Sequence, residues 1–75
     1  MTMQYPSLGK KIREERERLE MSRAELARQV GVASSQVTRW EAGAFKPSTM
    51  AMMALSRALD VDPVELMAAA CADAL

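Results

Sequence analysis

Ser22, Ser48 and Asp62 each stand directly before a short segment whose apolar side chains recur at helical spacing. Serine and aspartate are favoured helix N-caps, because their side-chain oxygen accepts a hydrogen bond from a backbone N–H of the first turn. After Ser22 and Asp62, a glutamate follows three residues later, which is the capping-box pattern. These start signals restrict the chain to short helices.

The whole pattern predicts five helices and no strand, an all-α fold in which residues 1–75 form a single compact five-helix bundle. In the first helix, Leu8, Ile12 and Leu19 fall on one apolar stripe together with Arg16, which therefore needs a buried partner. The first predicted helix begins after Pro6 with Ser7 as N-cap, the second runs from Ser22 to Gly31, and the third runs from about Ser34 to Ala42. The fourth follows Pro47 with Ser48 as N-cap, and the fifth has Asp62 as N-cap and Pro63 in its first turn.

The residue types exclude most catalytic chemistry. The chain has one cysteine and no histidine, so it lacks the usual zinc ligands and every His-based catalytic group. The paired carboxylates Glu14 and Glu15 lie in a charged helix and indicate a solvated face. We therefore expect no enzyme, no metal, no cofactor and no small-molecule ligand.

No segment predicts a membrane protein. The longest apolar run, Leu66 to Ala72, is far shorter than the roughly 18 residues that cross a bilayer. The first residues lack the apolar core of a signal peptide. We expect a soluble, cytoplasmic protein.

The formal net charge is zero, but the charges are unevenly distributed. Through Lys46 there are nine basic and six acidic residues, a balance of +3, and from Pro47 onward there are one basic and four acidic residues, a balance of −3. The basic part is able to bind phosphate even though the whole chain is neutral.

Residues 22–42, two short helices joined at Gly31, form a helix-turn-helix by pattern. Val37 and Trp40 point inward at i, i+3 spacing in the second of these helices. Its remaining side chains are polar and are predicted to face outward: Ser34, Ser35, Gln36, Thr38 and Arg39.

The stretch MSRAELARQVGVASSQVTRWEAGAFKPS resembles the Cro and phage-repressor class of helix-turn-helix regulators, also called the xenobiotic-response-element family. The likeness extends from Leu8 to Met67 and rests on several independent parts. They are AELA, the Gly-Val turn, S-x-V-x-R-W-E with its trailing Gly43, the Pro47-Ser48 start and the Leu59-Asp60-Val61 ending.

The resemblance implies a bundle of the phage-repressor type that binds double-stranded DNA, with the second motif helix in the major groove. It implies base contacts by Arg39, Ser34, Ser35 and Thr38, with Gln36 at the edge of the groove, and phosphate contacts by Ser22, Arg23, Phe45 and Lys46. Arg39 is the best base reader, since its fork suits guanine. For Ser34 and Ser35, capping of their own helix is an alternative, because Ala33 replaces the cap common in the family. The resemblance also implies a buried ion pair between Arg16 and Glu41.

The implied function is transcriptional regulation, most simply repression, by a homodimer on an inverted repeat. Cys71 is predicted to be small and apolar, either buried or part of an apolar dimer surface with Met50, Met53, Met67 and Leu75. An alternative is an antitoxin-like or assembly module that uses the same fold to grip another protein. A steep salt dependence of DNA binding separates the two functions.

Overall fold

The computed structural model describes residues 4–74, which form five helices and no strand. The helices are α1 (Pro6–Arg18), α2 (Arg23–Val30), α3 (Ser34–Glu41), α4 (Thr49–Leu59) and α5 (Pro63–Asp73). The predicted all-α bundle is confirmed, and Leu75 lies outside the described residues. No helix among residues 4–74 combines the length and apolarity that a bilayer crossing requires.

Three of the four predicted N-caps are present. The Ser22 and Ser48 hydroxyls each accept a backbone N–H of the first helical turn, at 3.0 and 3.1 Å. Asp62 forms the complete capping box with Glu65. At Ser22 the box is only half formed, because the Glu25 carboxylate lies 3.4 Å from the Ser22 hydroxyl and not on its backbone N–H.

The predicted N-cap at Ser7 is wrong. Helix α1 begins two residues earlier than that cap allows, with Pro6 as its first residue and Tyr5 at the N-cap position. Proline suits this position, since its φ is preset and its missing N–H has no helical partner there. The N–H groups of Ser7 and Leu8 instead donate to the Asp73 carboxylate at the end of α5, at 2.9 and 3.0 Å.

The core lies where α1 packs against α3 and α5, and α2 against α3 and α4. The predicted inward residues of α3, Val37 and Trp40, are buried. Leu19 departs from the predicted apolar stripe, because α1 ends before it and leaves it partly exposed. The buried apolar residues are Leu8, Ile12, Leu26, Ala27, Val37, Trp40, Met52, Leu55, Leu59, Leu66 and Ala70.

Candidate nucleic-acid interface

The turn between α2 and α3 depends on one left-handed residue. Gly31 has a φ of +87° and ends α2, and its N–H and that of Val32 both donate to the Ala27 carbonyl, at 2.8 and 2.9 Å. Ala33 then returns to an extended conformation and starts α3. Residues with a Cβ rarely adopt the conformation of Gly31, so this position sets the direction in which α3 leaves the turn.

The outer face of α3 is polar and solvent-exposed. Ser34, Ser35, Thr38 and Arg39 are exposed, and Gln36 is half-buried. The Thr38 hydroxyl donates to the Ser34 carbonyl at 3.2 Å. The guanidinium of Arg39 has no hydrogen-bond or ion-pair partner among residues 4–74, so all of its donors face solvent. This face is the one that sequence reasoning predicted for base contacts.

The first turn of α3 has no side-chain cap. Ala33 occupies the N-cap position and supplies no acceptor, and neither the Ser34 nor the Ser35 hydroxyl makes a capping hydrogen bond. The alternative in which these serines cap their own helix is therefore wrong. Neither hydroxyl makes a hydrogen bond within the described residues.

The backbones of α1 and α3 approach each other closely at Gly9. A Cβ at this buried glycine would lie 2.5 Å from the Glu41 carbonyl oxygen and 2.7 Å from that of Trp40. Sequence reasoning missed Gly9, although a glycine inside a helical pattern is a signal of close packing.

The ion pair predicted between Arg16 and Glu41 joins the same two helices. The Arg16 Nε and Nη2 lie 2.6 and 3.2 Å from the two carboxylate oxygens of Glu41, and Nη1 donates to the Met21 carbonyl at 2.8 Å. The hydrogen bond to Glu41 raises the pKa of Arg16, so this buried cation stays charged.

Arg23, predicted from the sequence to touch phosphate, also binds Glu41. Its Nε lies 3.0 Å from the Glu41 Oε1, while half of the Arg23 side chain remains exposed. Sequence reasoning missed this contact, because 18 residues separate the partners and no local periodicity connects them.

The loop after α3 contains backbone donors that have no partner within residues 4–74. Gly43 has a φ of +77°, and its carbonyl accepts the N–H groups of Gln4 and Tyr5, both at 2.9 Å. Phe45 and Lys46 are exposed, and their backbone N–H groups have no partner among residues 4–74. This matches the loop that sequence reasoning predicted to contact phosphate.

Ion pairs among the described residues involve only part of the basic side chains. Four of the ten basic side chains, those of Lys11, Arg16, Arg18 and Arg23, are bonded to carboxylates. The six without an ion-pair partner in the described part of the chain are Lys10, Arg13, Arg28, Arg39, Lys46 and Arg57. Five of these six lie before Pro47, in the basic part of the sequence.

An apolar surface lies on α4 and α5 and is bordered by Lys46 of the loop after α3. We call Met50, Met53, Met67 and Cys71 the methionine surface; Met50 is 80% exposed and Met67 is 55% exposed. The alternative in which Cys71 is buried is wrong, because its thiol faces out of α5. Next to it, a groove of about 210 Å³ is lined by Tyr5, Met52, Met53, Met67 and Cys71.

Residues 12–66 match the helix-turn-helix family, and the chain belongs to that family. It is 34% identical over 56 residues to repressor protein C2 of Salmonella phage P22, across 75% of this chain but only 26% of that protein's length. The crystal structure of the P22 c2 repressor in complex with a synthetic operator has a TM-score of 0.77 and 34% identity, covering 79% of this chain and 89% of that one. The predicted resemblance to phage repressors is confirmed.

A second similar structure comes from a different kind of regulator. The restriction-modification controller protein C.AhdI of Aeromonas hydrophila has a TM-score of 0.78 and 32% identity, covering 83% of this chain and 94% of that one.

Proposed function

We propose that this chain is a sequence-specific transcriptional regulator, acting as a repressor, that binds double-stranded DNA with α3 in the major groove. The observation that carries the proposal is the outer face of α3, which is exposed and polar, and in which Arg39 has no partner among residues 4–74. Membership of the helix-turn-helix family and the likeness to a repressor structure with its operator support it. Such a regulator acts in the cytoplasm, through binding and without a catalytic step.

Arg39 is the principal base reader in this proposal. Its planar fork suits the O6 and N7 acceptors of guanine, and a bidentate contact contributes about 1–3 kcal/mol of discrimination against other bases. Ser34, Ser35 and Thr38 lie on the same face and reach bases with short hydroxyls, while Gln36 lies at its edge. Short hydroxyls accept and donate, so these residues discriminate less sharply than Arg39.

In this proposal, the segments before and after α3 contact backbone phosphates. Arg23 and Ser22 lie at the start of α2, and Phe45 and Lys46 follow α3 with backbone N–H groups that find no partner in the described part of the chain. Contacts of this kind fix the orientation of a protein on the duplex without reading its sequence.

A homodimer through the methionine surface completes the proposal. Exposed methionines and a groove between α4 and α5 give an apolar face that a second copy would cover. Leu75, which the sequence also predicted for the dimer surface, directly follows Ala74 of that groove in the sequence. Each described protomer measures 31 × 27 × 22 Å, a size that lets two α3 helices lie about 34 Å apart, one turn of DNA. Two-fold symmetry then matches an inverted repeat.

The test is selection of binding sites from a library of random duplexes, followed by binding at several salt concentrations. We expect an inverted repeat and a log–log salt slope near −0.9 per phosphate contact. Arg39→Ala should erase the preference at one base pair of each half-site, at a cost of about 10- to 100-fold against the preferred base.

Arg57→Ala is the matched control, because Arg57 is also exposed and has no ion-pair partner in residues 4–74, but lies on α4, in the acidic part of the chain. It should keep the same selected sequence. Failure to retain any duplex, or a flat salt dependence, would contradict DNA binding and favour a protein partner.

A further inference from the structure

The Glu41 carboxylate binds two arginines from two different helices. Arg16 of α1 and Arg23 of α2 both reach it, with Nε–oxygen distances of 2.6 and 3.0 Å to its two oxygens. The Glu41 side chain is only 3% exposed, so this carboxylate is enclosed at the junction of α1, α2 and α3.

The two guanidinium groups share Glu41 unequally. Arg16 is buried and makes two hydrogen bonds to this carboxylate, and its Nη2 also lies 3.9 Å from the exposed carboxylate of Glu17. Arg23 contacts Glu41 through Nε alone, so much of the positive charge of this half-exposed guanidinium is left for another anion. A low-dielectric environment on one side and solvent on the other make that charge attractive to an anion.

The outer edge of Arg23 remains available. Its Nε is the only one of its three nitrogens with a partner in the described part of the chain, so the N–H groups of both terminal nitrogens are unpaired. Arginine presents its donors in a rigid planar fork, so fixing Nε also fixes the direction of the others.

We propose that Glu41 is a positioning residue for DNA binding: it holds Arg23 by Nε so that the terminal nitrogens are aimed at a backbone phosphate before the duplex arrives. The role rests on the proposed function. Ordering a long side chain in advance removes part of the entropy loss of binding, an effect of about 2- to 12-fold in affinity for one side chain.

The main experiment compares Arg23→Lys with Arg23→Ala on the duplex recovered by selection, over a range of salt. Lysine keeps the charge but lacks the fork that binds Glu41 and phosphate together. Arg23→Lys should keep the salt slope and weaken binding about 2- to 12-fold per protomer, whereas Arg23→Ala should also flatten the slope by about 0.9 for each bound protomer. Arg57→Lys is the matched control and should bind as the wild type does.

A second measurement does not depend on DNA. Nitrogen-15 relaxation of the arginine Nε–H groups should show Arg23 as restricted as the buried Arg16, and Arg39, which has no partner in residues 4–74, as mobile. In Glu41→Gln, if it folds, the neutral amide oxygen can no longer serve both guanidinium groups as a carboxylate does, so Arg23 should become more mobile and binding should fall toward the level of Arg23→Lys. If that variant unfolds, the relaxation of wild-type Arg23 and the DNA affinity of Arg23→Lys test the positioning role of Glu41.

The outcomes separate the two proposals. If the wild type binds its selected duplex but Arg23→Lys binds equally well, or if Arg23 is as mobile as Arg39, the positioning role of Glu41 is overturned and DNA binding stands. An unchanged slope in Arg23→Ala would likewise remove the phosphate contact alone. A wild type that binds no duplex would overturn both.

Discussion

Replacing Gly9 by alanine adds one methyl group where α1 crosses α3. The new Cβ would meet two backbone carbonyl oxygens, at 2.5 Å from Glu41 and 2.7 Å from Trp40. Ordinary contact begins near 3.4 Å, so the two helices have to separate by about 0.9 Å. Backbone atoms cannot rotate away as the end of a side chain can, and the same displacement stretches the bonds between Arg16 and Glu41.

The expected loss of stability is the difference between the cost of this steric overlap and the gain in helix propensity. Overpacking of this kind costs about 1–3 kcal/mol, and loosening a buried ion pair adds to it. Alanine recovers about 1 kcal/mol through its better helix propensity. We expect the free energy of unfolding to fall by about 1–2 kcal/mol in Gly9→Ala, which lowers the midpoint of thermal unfolding by about 4–16 °C in a domain of this size.

The assay is thermal unfolding followed by circular dichroism, with the fluorescence of Trp40, the chain's one tryptophan, as a second probe. Lys10→Ala is the matched control, because Lys10 is exposed and adjacent in α1 and has no ion-pair partner among the described residues. Its midpoint should stay within a few degrees of the wild type, by the usual scale of surface changes. A Gly9→Ala variant as stable as the wild type would refute the close approach of α1 and α3.

Three further predictions concern helix caps and the surface of α5. Ser48→Ala should lower the midpoint of thermal unfolding by about 4–8 °C, because it removes the N-cap of α4. Ser34→Ala should leave the midpoint unchanged, because the Ser34 hydroxyl makes no capping hydrogen bond. Equal losses in the two variants would contradict the cap assignment. Partial desolvation raises the pKa of Asp73, but the hydrogen bonds from the two N–H groups at the start of α1 lower it by more. The net result is a pKa below the usual 3.8. A lowered folded-state pKa stabilises the fold above the unfolded-state pKa, so this contribution should be lost as pH falls through and below 3.8, more steeply than in Asp73→Asn; parallel pH curves would exclude it. Met67→Glu should weaken self-association at least about 10-fold in analytical ultracentrifugation, because a charge would be buried at a two-fold contact; unchanged association would place the dimer contact elsewhere.

Local signals in the sequence predicted most of the helices and the polar outer face of α3. The caps at Ser22, Ser48 and Asp62 are bonds between residues two or three positions apart, so their pattern is visible in the sequence itself. The inward positions of Val37 and Trp40, and hence the outward position of Arg39, follow from helical periodicity alone.

Where a bond joins distant parts of the chain, the sequence predicted it only through the family resemblance or missed it. The Arg16–Glu41 pair came from that resemblance, while the contact of Arg23 with the same carboxylate was missed. The exposure of Cys71 was left open, because its apolar character suits both a core and an interface.

The amino-acid order by itself determined where four of the five helices start and which side of α3 is polar, since both depend on interactions within a turn or two. Only the tertiary structure decided how α1 is capped, by Asp73 from the far end of the chain, and why α1 tolerates a glycine at its crossing with α3. It also decided that one enclosed carboxylate serves two arginines. These features arise from the distances between packed helices, which no local pattern specifies.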